Sequence, residues 1–253
     1  MRPRFVHVLA LAAPLASPAE AISRCVRPAP YPGCFPSIQA AVDESVSGDV
    51  INLAAGVYFE NVVIPAGKDG LTIAGVGKLS TTIDPDFPPS GNAFTIGSNG
   101  VKIRNLGIRN GQAHGIALNG VSGVLIQGLR IVGLRGVSSS GISGLRNSGL
   151  RLLNNEIRAV GNFGIEVGGG NVVVTGNTVT QTPGGILVYD FGARVTSNKV
   201  TGVRAGIQVM SDGNGLHDRA LKLSSGLIAR PVLESALRCH SLSSSASGAS
   251  SRP

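Results

Sequence analysis

Gly164-Ile165-Glu166-Val167, Gly185-Ile186-Leu187-Val188 and Gly206-Ile207-Gln208-Val209 follow one another at intervals of 21 residues. Between them lie Val174-Thr175-Gly176-Asn177-Thr178-Val179 and Val195-Thr196-Ser197-Asn198-Lys199-Val200, again 21 apart. Each unit has two or three alternating aliphatic residues and then a Gly or Asn, which is the chemistry of a short strand and a turn. A fixed period of this length, sustained over several units, marks a solenoid in which each repeat forms one coil.

The pattern extends towards the amino terminus. Gly141-Ile142-Ser143-Gly144 precedes Gly164 by 23 residues, Gly115-Ile116-Ala117-Leu118 precedes Gly141 by 26, and Ala93-Phe94-Thr95-Ile96 precedes Gly115 by 22. Loops of unequal length at one corner produce such a drift. A second landmark moves in step: Leu106, Leu129, Asn155, Asn177 and Asn198 occupy equivalent places. In a parallel coil, equivalent residues stack about 4.8 Å apart, so inward positions form columns. One column is Phe94, Ile116, Ile142, Ile165, Ile186 and Ile207; a second is Ile103, Ile126, Leu152, Val174 and Val195; a third is Ile108, Ile131, Ile157, Val179 and Val200. β-Branched residues suit buried, pleated strands. Three columns predict three sheets, and Asn155, Asn177 and Asn198 predict an asparagine ladder between coils.

Further motifs stand before the repeats. They are Ser37-Ile38-Gln39-Ala40-Ala41-Val42-Asp43, Gly48-Asp49-Val50-Ile51-Asn52-Leu53, Gly56-Val57-Tyr58-Phe59-Glu60-Asn61 and Leu71-Thr72-Ile73-Ala74-Gly75. With the repeats, they resemble the right-handed parallel β-helix superfamily of pectate lyases and pectin lyases. Within it they resemble the secreted bacterial proteins with repeated parallel β-helix motifs. The resemblance covers Ser37 to Met210 and implies an all-β right-handed parallel β-helix with three sheets. It does not by itself fix a function, because this superfamily hosts lyases, hydrolases, epimerases and adhesins.

Around this unit the chain divides as follows. Residues 1–21 read as a secretory signal peptide, with Arg2 and Arg4, an apolar run from Phe5 to Ala16, and Ala19-Glu20-Ala21 as the cleavage site. The run is too short to span a membrane. The expected location is therefore outside the cytoplasm: extracellular, periplasmic or on the cell surface. Residues 22–36 are a Pro- and Cys-rich lead-in, in which Cys25 and Cys34 either close a small loop or stay free; Cys239 is the odd one out. Ile38, Ala41 and Val42 at i, i+3 and i+4 predict a short amphipathic helix over Ser37 to Val46, with Ser37 as N-cap and Gly48 as terminator. Such a helix would cover the open end of the solenoid. The parallel β-helix domain is placed at 37–211, with Pro85, Pro88 and Pro89 forming a loop within it. Residues 212–253 are an irregular Ser/Gly-rich tail, with Pro231 to His240 as a candidate helix; this tail is either a cap or a truncated, frame-shifted ending.

The net charge of +8, or +7 without Arg2, Arg4 and Glu20, favours an acidic polysaccharide or an anionic cell envelope as partner. Nucleic acid is disfavoured by the scarcity of aromatics and the lack of a dense Lys/Arg run. Outward positions also form columns: Thr95, Ala117, Ser143, Glu166, Leu187, Gln208 on one face; Lys102, Leu125, Arg151, Val173, Arg194 on a second; Gly107, Arg130, Glu156, Thr178, Lys199 on a third. Arg130 and Glu156 are expected to pair across adjacent coils.

Chemistry in the related enzymes is carried by clustered carboxylates. The resemblance implies Ca²⁺ held against uronates, with an Arg or Lys base, if the chain is lyase-like. A hydrolase would carry two or three Asp on neighbouring coils. Acidic residues are sparse here. The candidate catalytic residues are Glu166, Asp190 and Arg194, and the candidate ligand-binding residues are Arg151, Tyr189 and Asp212. His114 matches the Gly-His-Gly segment of the hydrolases only in part, as Ala113-His114-Gly115, and is read as a corner residue. No His/Cys/Asp spacing indicates zinc. Three functions stay open: a secreted protein that binds or processes acidic polysaccharide, a non-catalytic adhesive solenoid, or part of a longer lyase-like enzyme.

Overall fold

The structure, a computed structural model, describes residues 20–85, 91–190 and 192–210. The expected signal peptide before residue 20, Pro88, Pro89, Asp212, Cys239 and the tail lie outside these residues. Three parallel sheets wind into a right-handed solenoid. Sheet A holds Ser23–Val26, Val50–Leu53, Thr72–Gly75, Lys102–Arg104, Leu125–Gln127, Arg151–Leu153, Val173–Thr175 and Arg194–Thr196. Sheet B holds Gly56–Tyr58, Thr81–Ile83, Gly107–Arg109, Arg130–Val132, Glu156–Arg158, Thr178–Thr180 and Lys199–Thr201. Sheet C holds Val62–Ile64, Phe94–Ile96, Ile116–Leu118, Ile142–Ser148, Phe163–Gly170, Gly184–Asp190 and Ala205–Met210.

The registers reproduce the three inward columns. Phe94 pairs with Ile116, Ile116 with Ile142, Ile142 with Ile165, Ile165 with Ile186 and Ile186 with Ile207. Ile126 pairs with Ile103 and Leu152, and Ile131 with Ile108 and Ile157. The first coils extend these columns with Ile51, Ile73, Ile83 and Val62. Almost all are wholly buried in one continuous core.

The corner between sheets A and B has a local cause. One residue per coil takes a left-handed conformation: Asn105, Gly128, Asn154, Gly176 and Ser197, with φ of 56°, 66°, 54°, 71° and 55°. Asn and Gly reach this region at least cost. The next residue turns inward, and there Asn155, Asn177 and Asn198 stack. Asn155 N–H and Nδ2 both donate to Asn177 Oδ1 at 2.9 Å, and Asn177 N–H and Nδ2 donate to Asn198 Oδ1 at 2.9 and 3.0 Å. The ladder ends on Leu129, whose N–H donates to Asn155 Oδ1 at 3.0 Å.

At the amino-terminal end, the helix Ile38–Glu44 buries Ile38, Ala41 and Val42. Ser37 Oγ accepts from Ala40 N–H at 3.1 Å, and the Glu60 carboxylate accepts from Ile38 and Gln39 N–H at 2.9 and 3.0 Å. The helix is shorter than expected. It stops at Glu44 because Ser45 donates both N–H and Oγ–H to the Val42 carbonyl, and Gly48 sits in the turn beyond. The lead-in is also more ordered than its composition implies. Ser23–Val26 pairs with Val50–Leu53 as an extra strand of sheet A, and Cys25 and Cys34 form a disulfide. Asp49 clasps this region: it accepts from Ile22 and Val46 N–H at 2.8 and 2.9 Å and pairs with Arg24 at 3.0 Å. Burial opposes its ionisation, but the two N–H donors and the Arg24 charge outweigh that and hold its carboxyl below the usual value.

Two outcomes are expected. Asn177→Ala strips partners from a buried rung and should lower unfolding free energy by about 1–3 kcal/mol in urea denaturation; an unchanged midpoint would remove the ladder's stabilising role. Cys25→Ser with Cys34→Ser should cost about 2–3 kcal/mol, because the unfolded chain regains the freedom of a short loop.

Candidate functional site

Strand alternation places Glu166 on the outer face of sheet C, level with Ser143 on the preceding coil and Leu187 on the next. Its carboxylate lies against Ser140, a wholly buried residue on the turn entering Ile142–Ser148; the Ser140 Oγ to Glu166 Oε2 distance is 3.2 Å. Ser140 N–H donates to His114 Nδ1 at 3.0 Å. His114 N–H donates to Asn92 Oδ1 at 3.1 Å, and Asn92 Nδ2 donates to Thr95 Oγ1 at 3.1 Å. Asn92, His114, Ser140 and Glu166 thus form a polar chain over four successive coils. His114 and Ser140 both precede a coil-opening Gly, so their column was present in the sequence. What the sequence did not show is that Glu166, from a different column, leans back to reach it.

The electrostatics follow from burial. Desolvation pushes the His114 imidazole below its ordinary 6.5, and the Glu166 charge partly offsets this. With Nδ1 accepting from Ser140, the neutral ring carries its proton on Nε2. A half-buried carboxylate and a neutral imidazole donor, linked through Ser140, are groups of the kind that do general acid–base work.

Tyr189 lies on the same face, level with Gly168 and Met210. A Cβ on Gly168 would stand 3.0 Å from Tyr189 Cβ and 3.1 Å from Leu145 Cδ2, so the missing side chain lets those two residues close in. Leu145, Tyr189 and Met210 are 52%, 40% and 44% exposed, which makes an apolar shelf beside the polar chain.

The other expected site residues fall elsewhere. Asp190 does not stand level with Glu166 but pairs with Gly169, three residues further along the strand. It is 5% exposed, and its two carboxylate oxygens accept from Val172 and Gly192 N–H at 2.6 and 2.9 Å. Its carboxylate therefore ties the turn into sheet A instead of joining Glu166. Arg151 and Arg194 are exposed on the outer face of sheet A, two coils apart with Val173 between them. Asp212 lies outside the described residues. The expected surface pair is present, with Arg130 Nε 3.4 Å from Glu156, and Lys78 joins it at 3.1 Å. Ca²⁺ takes six to eight oxygens; among the described residues no group of three or more His, Cys, Asp or Glu side chains that could hold a metal ion occurs.

Residues 50–200 match the family model described as "Right handed beta helix region". The chain belongs to the right-handed β-helix family. A search of the curated proteins finds no match. Among solved structures, the chain is similar to the catalytic domain of a GH87 α-1,3-glucanase in complex with tetrasaccharides. There the TM-score is 0.57 and the identity 20%, over 79% of this chain and 39% of that one. It is also similar to an alginate lyase from Paenibacillus sp. str. FPU-7, with TM-score 0.56 and 17% identity over 73% of this chain and 68% of that one. The chain thus spans well under half of the glucanase domain. At these identities the likeness is one of fold.

His114 should titrate below 6.5 in an NMR pH series, and Glu166→Gln should lower its midpoint further by removing the opposing charge. Between the folded midpoint and 6.5 the unfolded chain binds a proton that the folded chain refuses, so stability should fall as pH drops through that window. A midpoint above 6.5 would reverse the assignment.

Proposed function

We propose that this β-helix binds and processes an extracellular acidic polysaccharide on the outer face of sheet C, with Glu166 and His114 as the acid–base pair. The observation that carries the reading is the contact of the Glu166 carboxylate with Ser140, whose N–H holds the neutral His114. Tyr189 is the platform for a sugar ring, since an exposed aromatic face packs on the C–H face of a pyranose while its hydroxyl stays in water. A chain laid along the solenoid axis would cross Tyr189 and Glu166 on adjacent coils and reach His114 two coils beyond Glu166. The two fold relatives named above are a glucanase and a lyase of alginate, so the same scaffold elsewhere carries sugar chemistry.

The acidic character of the substrate rests on charge. Glu156, Glu166 and Asp190 are the only acids between residues 91 and 210, against 11 Lys and Arg. The site carboxylate thus sits in a basic field, which favours a polyanion near it. Export across a membrane, read from residues 1–21, places the protein where such polymers occur.

The test is a screen of the protein on alginate, polygalacturonate and neutral glucans, reading reducing ends and unsaturated-uronate absorbance. Wild-type protein should release product from an acidic polymer. Glu166→Gln and His114→Ala should each lower the rate by about 100-fold or more, the usual scale for a lost acid–base group. Product formation undiminished in both variants would move the chemistry away from this pair.

A further inference from the structure

The outer face of sheet A carries a pattern that the site on sheet C does not use. Lys102 pairs with Leu125, Leu125 with Arg151, Arg151 with Val173 and Val173 with Arg194. Cation and aliphatic therefore alternate coil by coil. Lys102, Arg151 and Arg194 are exposed, while Leu125 and Val173 are half-buried. None of the three cations meets a carboxylate among the described residues. Strands within a sheet lie about 4.8 Å apart, so these cations recur every ~9.6 Å along the axis. A parallel column two residues along each strand holds Arg104, Gln127, Leu153, Thr175 and Thr196. Its amide and hydroxyl groups face the same side, and Thr175 and Thr196 Oγ1 lie 3.1 Å apart.

That spacing selects a partner. In an extended polysaccharide whose successive rings turn over, the anions on one side recur once per disaccharide. An extended disaccharide is close in length to two coils. The half-buried aliphatics between the cations give the intervening ring an apolar seat, and the neighbouring column offers groups for hydroxyls. A nucleic acid fits poorly. Its phosphates recur about every 3.4 Å per strand in a duplex, and single strands are held by aromatic stacking. The two outward columns named here contain no aromatic residue.

We propose that the outer face of sheet A binds a linear anionic polysaccharide along the solenoid axis, with successive disaccharides placing one anion each on Lys102, Arg151 and Arg194. The inference rests on the acidic-polysaccharide reading above and adds to it a face, a direction and a charge period. Sheet C, one turn away in each coil, remains the place of chemistry.

Calorimetric titration at low salt tests it, with hyaluronan oligosaccharides (one carboxylate per disaccharide), their carboxyl-reduced neutral form and a single-stranded oligonucleotide as probes. Hyaluronan should bind the wild-type chain and the neutral form should not. Arg151→Ala with Arg194→Ala should weaken binding by about tenfold, the scale of two exposed ion pairs. The exchange Val173→Arg with Arg194→Val keeps net charge but puts two cations on adjacent coils, and it should weaken binding by a similar factor. Thermal melts confirm folding, and the double alanine variant carries the test alone if the exchange destabilises the coil. Wild-type affinity in the double alanine variant, or in a folded exchange variant, would overturn the ladder, as would equal binding of the neutral form. Oligonucleotide binding as tight as hyaluronan's would overturn the polysaccharide assignment. Product release is read separately: binding without product sinks the acid–base reading and leaves the ladder standing, whereas product with variant-insensitive binding does the reverse.

Discussion

The rest of the structure depends on the stacking of one coil on the next. A strand of three residues has no independent stability. Here each short strand is hydrogen-bonded to equivalents above and below, and each inward side chain rests on its own counterparts in the same column. Register is therefore strongly specified. A slip of one residue would carry Ile165, Ile186 and Ile207 to solvent and bring Glu166, Leu187 and Gln208 into the core. The corner between sheets A and B enforces the same register from outside the strands. Its left-handed residue and inward Asn or Leu recur once per coil, and the Asn155 and Asn177 amides each bond to the coil before and the coil after.

Such a scaffold concentrates function on its outer faces. Inward columns are filled by aliphatics, so polar chemistry must be written in outward positions and in the turns. Stacking then sets the distances available: one coil spacing between neighbours in a column, two between alternate members. The Asn92, His114, Ser140 and Glu166 chain uses the first of these intervals and runs along the axis. The sheet A cations use the second. Both arise because parallel strands align residues that are more than twenty positions apart in sequence.

Repetition also has an end problem, and the amino-terminal elements manage it. A bare first coil would expose apolar side chains and unpaired strand edges. Ser23–Val26 adds a strand to sheet A, the Cys25–Cys34 bond closes the segment that follows, and the helix covers the interior with Ile38, Ala41 and Val42. Arg24 and Asp49 join the added strand to the turn beneath the helix.

The sequence by itself determined the three-sheet coil, its inward columns and its asparagine ladder. Those features are periodic, and identical local chemistry repeated at a fixed interval has one way to stack. The Arg130–Glu156 pair was legible for the same reason. Tertiary structure decided what is not periodic. Asp190 looked like a partner of Glu166 because in the sequence both read as following the first strand of successive coils, but the register puts it three residues further on, buried against Val172 and Gly192. His114 reads as a corner residue in the sequence, and only the folded chain shows that Ser140 links it to Glu166, its N–H on the imidazole and its hydroxyl on the carboxylate. The lead-in reads in the sequence only as a Pro- and Cys-rich segment with no strand assigned, and backbone pairing with Val50–Leu53 makes Ser23–Val26 a strand. Backbone hydrogen bonds and side-chain direction belong to the folded chain, and a one-dimensional pattern records neither.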